Sequence, residues 1–115
     1  MKVLDFSTWA SRHSYTEIVQ LFHKKWDELL HHAVAVEFEK AQVAFYEDHE
    51  PSGVFVFTDG AGVFVKDGKT VGRIEMNTPI GLDWLHQKEK YPYSLHFQKK
   101  TRGRFFSKND LICLL

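Results

Sequence analysis

From Ser14 to His32 the apolar residues recur at helical spacing. Ile18, Phe22, Trp26, Leu29 and Leu30 make one stripe while Lys24, Lys25, Asp27 and Glu28 take the other side, the pattern of an amphipathic helix lying on a core. Ser14 followed by Glu17 forms a capping-box start, which satisfies backbone N–H groups left free in the first turn. His31 and His32 suit the negative end of the helix dipole. A short earlier helical turn over Ser7 to Ala10 is also expected. After His32 the period changes to two. Val34, Val36 and Phe38 alternate with Ala35, Glu37 and Glu39, and Ala41, Val43 and Phe45 follow, so two strands with one wet face are predicted. EDHEPSG then carries the turn residues Asp48, Pro51 and Gly53.

Val54 to Phe57 is apolar on both faces, which predicts a strand covered on both sides. Thr58-Asp59-Gly60-Ala61-Gly62 then reverses the chain into Val63 to Val65, so VFVFTDGAGVFV reads as a central hairpin. Lys66-Asp67-Gly68-Lys69 is a second turn, with Asp-Gly the strongest local hairpin signal. Thr70 to Met76, then Tyr93, Leu95 and Phe97, then Gly103 to Phe106 complete about eight short strands, the spacing of a sandwich or barrel. Ser107 with Asp110 opens a short final helix ending LICLL.

Composition adds limits. Hydrophobic residues are 43% and aromatics 15% of the 115 residues, too apolar for disorder, and no window approaches the roughly 20 apolar residues of a membrane span. The 15 basic and 15 acidic residues cancel, so no global field draws the chain to nucleic acid or anionic lipid. The opening MKVLDFSTWASRH lacks the apolar core of a secretory signal, and one cysteine forms no internal disulfide. A cytoplasmic protein is expected. Cys113, between Ile112 and Leu114, reads as a small buried apolar residue.

The candidate chemistry is sparse. His31, His32, His49 and His96 lack the spacing by which histidines on neighbouring strands converge on one metal ion, because adjacent residues point apart on a strand and about 100° apart on a helix. No metal is expected. Glu37, Glu39, Glu47, Asp48 and Glu50 read as a wet strand face and a turn rather than an acid/base pair, and no serine or cysteine sits in a nucleophile setting. DGAG lacks the Lys-Ser/Thr ending of a phosphate loop. The stretch HFQKKTRGR sets Lys99, Lys100, Arg102 and Arg104 among Phe97, Phe105 and Phe106, which reads as an exposed turn before a phosphate-binding patch. The chain is not expected to be an enzyme.

Read as one unit, FEKAQVAFYEDHEPSGVFVFTDGAGVFVKDGKTVGRI resembles the cyclic nucleotide-binding domain family, through Phe38, Lys40, Glu47, Val54 to Phe57, Gly60, Val63 and Val65. The resemblance continues through Pro79-Ile80-Gly81-Leu82 and Ser94 to Leu115. It implies one domain over 1–115, mainly β with flanking helices: a helical segment 1–32, a double-stranded β-helix or jelly-roll β-roll over 33–106, and a short C-terminal helix 107–115. Ligand-binding members of that family open a short helix with Gly-Glu, whose carboxylate takes the ribose, and place an arginine about ten residues later for the phosphate. Gly81 matches the glycine, but Leu82 stands at the glutamate and Lys90 or Tyr91 at the arginine.

The resemblance therefore implies a degenerate phosphate cassette of Ile80, Gly81, Leu82, Asp83, Lys90, Tyr91, Tyr93 and Ser94, with Leu82, Trp84, Tyr91 and Tyr93 filling or lining the old pocket. The expected function is a noncatalytic sensor or regulatory module with weak or no binding of cyclic AMP or cyclic GMP, and no resident cofactor. Two alternatives stand beside it: a cupin-like jelly-roll metal protein or enzyme, and an interaction module with no small ligand. Its partner is an unidentified small ligand or protein. No DNA-binding domain is expected in a chain that stops at Leu115, and LICLL either packs on the roll or forms a homodimer contact.

Overall fold

In the computed structural model, which describes residues 13–114, Ser14 opens the first helix as its spacing predicts. Its Oγ accepts the Glu17 N–H at 3.2 Å, while the Glu17 carboxylate meets the His13 ring at 3.4 Å. The single helix expected to His32 is two: α1, Tyr15–Lys24, and α2, Trp26–His32, broken at Lys25, whose ψ of 18° opens the turn. Ile18, Phe22 and Leu29 are buried on the predicted stripe, and Trp26 and Leu30 are half-buried beside them. The turn expected over Ser7 to Ala10 lies outside the described residues.

Seven strands follow among the described residues: β1 Val34–Phe38, β2 Val43–Phe45, β3 Gly53–Asp59, β4 Gly62–Lys66, β5 Lys69–Arg73, β6 Ser94–Phe97 and β7 Thr101–Ser107. They form two antiparallel sheets, ordered β1-β7-β3 and β2-β6-β4-β5. A short helix α3, Leu82–Gln87, interrupts the strands, and α4, Lys108–Leu114, closes the chain with the Ser107 Oγ accepting the Asp110 N–H at 3.2 Å. No described helix is long and apolar enough to cross a membrane.

The core has two parts, and β3 belongs to both. Val54 and Val56 face outward into a cluster with Ile18, Phe22, Leu29, Leu82, Leu85, Phe106 and Leu111, where the helices cover the first sheet. Phe55 and Phe57 face inward, between the sheets, with Phe45, Ile80, Tyr91, Leu95 and Phe97. Alternate side chains of a strand point to opposite faces, so the unbroken apolar run VFVF is the consequence of a strand covered on both sides.

Three expectations are corrected. VFVFTDGAGVFV is not a hairpin: β3 bonds to β7, while β4 bonds to β5 and β6, so the turn between them carries the chain from one sheet to the other. Gly60 makes that corner at φ 130°, and a Cβ there would collide with Thr101. The local hairpin is the next one, β4 to β5, where Lys66 opposes Lys69 and only Asp67 (φ 51°) and Gly68 (φ 76°) turn the chain, the both-positive geometry of a type I′ turn. Ala41, expected in a strand, sits in a turn at φ 73°. Cys113 is exposed rather than buried. On α4, Leu111 takes the inward position and Ile112 packs beside it, and two residues at about 100° each carry Cys113 round to solvent.

Candidate ligand-binding site

The chain enters the site through Ile80, which exchanges both backbone hydrogen bonds with Phe55 at 2.7 and 3.1 Å. Gly81 follows at φ 99°, a left-handed conformation that costs a residue with a Cβ more than it costs glycine. Its carbonyl accepts the Leu85 N–H at 2.9 Å and so starts α3. Lys88 ends α3 at φ 60°, with its own N–H and that of Glu89 bonded back to Leu85 and Trp84.

The faces of α3 decide the character of the site. Leu82 and Leu85, 1% and 4% exposed, turn into the cluster of α1, α2 and α4. Trp84 turns into the roll instead. Its ring stands edge-on to Phe45 (6.2 Å), Tyr91 (5.8 Å), Tyr93 (5.6 Å) and Phe64 (6.4 Å). Tyr91 is 4% exposed and lies flat on Phe45, with centroids 3.8 Å apart and planes 9° apart. Burial pushes its phenol up to about 12, since leaving water penalises the phenolate.

Of the predicted residues, Ile80, Gly81, Leu82 and Asp83 therefore form one continuous turn into α3, and Tyr91 and Tyr93 join Trp84 at its inner face. Lys90 is exposed. The Ser94 Oγ accepts the Glu47 N–H at 2.9 Å. Leu82 corrects the expectation that it lines the roll interior, because its side chain serves the opposite, helix-covered cluster. Phe45 and Phe64 were missed as fillers of the interior. Their signal was the inward position in the alternation of β2 and β4, which separates the faces of a strand without telling what a face meets.

Asp83 and burial together raise the Tyr15 phenol, burial being the larger cause. Beside Tyr15, the His86 ring is held by its Nε2 at 2.8 Å from the His13 carbonyl, which ties α3 to the start of α1. The acidic and basic candidates meet each other across β1 and β7, where Glu37 opposes Arg102. Glu37 lies 3.0 Å from Lys100 and 3.1 Å from Arg102, and hydrogen bonds from both hold its carboxyl below the usual carboxylate range. Among the described residues, no three His, Cys, Asp or Glu side chains are grouped to hold a metal ion.

Solved structures share this arrangement of two sheets and flanking helices at low sequence identity. cAMP-bound PfPKA-R matches with a TM-score of 0.72 at 14% identity, over 88% of this chain and 37% of that one. A protein from Silicibacter pomeroyi DSS-3 described as a cAMP-binding regulatory protein matches at 0.69 and 16%, over 80% of this chain and 44% of that one. The fold is that of a cyclic nucleotide-binding domain. The N-terminal domain of a transcriptional regulator from Streptomyces coelicolor A3(2) shares it at 0.69 and 16%, over 83% of this chain and 72% of that one. This cyclic nucleotide-binding-like chain spans less than half the length of the first two. No family model and no curated protein matches its sequence.

Proposed function

We propose that this chain is a cytoplasmic, noncatalytic regulatory module of the cyclic nucleotide-binding type whose own aromatic side chains occupy the nucleotide pocket, so that it binds cyclic AMP or cyclic GMP weakly or not at all. The observation that carries the reading is the Tyr91–Phe45 stack capped edge-on by Trp84. A cyclic nucleotide needs a cation for its phosphate and an acceptor for its ribose. At the positions where the resemblance calls for them, the cation's place falls to Tyr91, a buried neutral phenol, or to Lys90, whose side chain is exposed, and Leu82 faces away from the roll.

Removing one partner of a buried charge pair costs about 2 to 5 kcal/mol, and each 1.4 kcal/mol is about tenfold in affinity. A micromolar site stripped in this way becomes roughly millimolar. Calorimetric titration with cyclic AMP and cyclic GMP tests the reading. Dissociation constants weaker than about 100 μM are expected, and a saturable low-micromolar isotherm would overturn it.

A further inference from the structure

The two sheets leave a slit where β1 and β2 run as free edges, since β1 pairs only with β7 and β2 only with β6. It is an open groove of about 390 Å³, within the range of about 300 to 1,000 Å³ typical of small-ligand sites. Its floor is aromatic. Phe55 lies at the centre, with the rings of Phe105 at 4.8 Å and of Phe38 and Phe45 at 6.2 Å. Tyr46, 55% exposed, stands on the rim with Glu50. No lysine or arginine lines the slit, and Glu50 is its one acidic side chain, without an ion pair among the described residues. Phe45 and Tyr91, whose stack packs against Trp84, also border the slit, whereas Trp84, Phe64 and Tyr93 do not line it.

We propose that this slit binds a small organic ammonium cation. Aromatic faces carry negative potential and attract a cation held over them, an effect worth from a few-fold to about thirtyfold in affinity as water is excluded. Glu50 at the rim adds attraction of the same sign, and no lysine or arginine stands beside His49 in the lining to compensate an anion. A neutral apolar molecule would gain the burial but neither of these contributions. The inference goes beyond the regulatory role proposed above and shares with it the Phe45–Tyr91 stack as one wall.

The test is an NMR titration of the full chain with choline and separately with its uncharged isostere 3,3-dimethyl-1-butanol. Choline is expected to saturate, to move resonances of Phe38, Tyr46 and Glu50, and to bind at least about fivefold tighter than the alcohol. Glu50→Gln should weaken choline about three- to tenfold and leave the alcohol unchanged. Equal binding of the two probes would overturn the proposal in favour of a plain apolar slit. So would shifts confined to other surfaces, or no saturation by about 50 mM choline, where the affinity is too weak to count as a site.

Discussion

Restoring the glutamate that the resemblance calls for, by Leu82→Glu, is expected to unfold this protein at neutral pH rather than to create a ribose site. Leu82 is 1% exposed and sits in the cluster of Ile18, Phe22, Leu29 and Leu111. Losing its burial costs about 2 to 3 kcal/mol, and burying a carboxyl without a partner costs about 1 to 3 more. The group would also have to stay protonated. Buried glutamates reach a pKa of about 8 to 9, against about 4.3 unfolded. For an acid with a raised folded pKa, the penalty is absent below the unfolded value and grows by about 1.4 kcal/mol per pH unit above it.

At pH 7.5 that ionisation penalty is about 4 kcal/mol. The first turn of a helix returns only about 0.3 to 1 kcal/mol to a carboxylate. The total, roughly 6 to 10 kcal/mol, is comparable to the whole stability of a domain of this size, about 6 to 17 kcal/mol. Urea melts of variant and wild type at pH 4.5 and 7.5 measure it. The difference between them should widen by about 4 kcal/mol from the lower pH to the higher. A variant as stable as wild type at pH 7.5, or one that gains tight cyclic AMP binding, would refute the placement of Leu82 away from the roll interior.

Thr101→Val should destabilise by about 1 to 3 kcal/mol in a denaturant melt. The Thr101 hydroxyl is fully buried, donates to the Lys99 carbonyl at 2.9 Å and accepts the Ala61 N–H at 3.1 Å, so valine would leave both groups unpaired at the crossing between the sheets. Tyr91 makes stability fall as pH rises from about 10, the unfolded value, toward about 12, the folded one, because burial favours the neutral phenol. Alkaline melts of Tyr91→Phe should lose that part of the decline, and an unchanged profile would contradict the burial of the phenol. Cys113, exposed on α4, should react with a thiol reagent in the native protein at close to the rate of a small free thiol. Protection until denaturant is added would show that the α4 face is covered.

Much of the fold was legible because its signals are local. Ser14 and Ser107 bond the N–H groups three residues ahead, as their spacing implies. Asp67-Gly68 turns β4 into β5, since two residues tolerant of positive φ are enough. Gly81 adopts the left-handed conformation at the head of α3, at the position where the resemblance sets a glycine before a short helix. The break at Lys25 was not legible, because both halves of the helix keep one apolar stripe. The exposure of Cys113 was hidden for a similar reason: in LICLL every position is apolar, and only the docking of Leu111 selects which side faces in.

The sequence by itself determined most of the helical and extended segments and the Asp67-Gly68 turn, though not the break at Lys25 or the turn at Ala41, and the resemblance marked the glutamate and arginine positions of the cassette as Leu82 and Lys90 or Tyr91. The segments follow from periods of 3.6 and 2 and from turn chemistry, all properties of short segments, and the cassette positions from the resemblance alone. Tertiary structure alone decided partners. VFVF and VFV lie five residues apart and read as a hairpin, yet β3 and β4 belong to opposite sheets. Leu82 and Trp84 are two positions apart on α3, yet one packs on the helices and the other on Phe45 and Tyr91 inside the roll. Alternation tells a side chain which face it takes, and only the packing of distant segments tells what that face will meet.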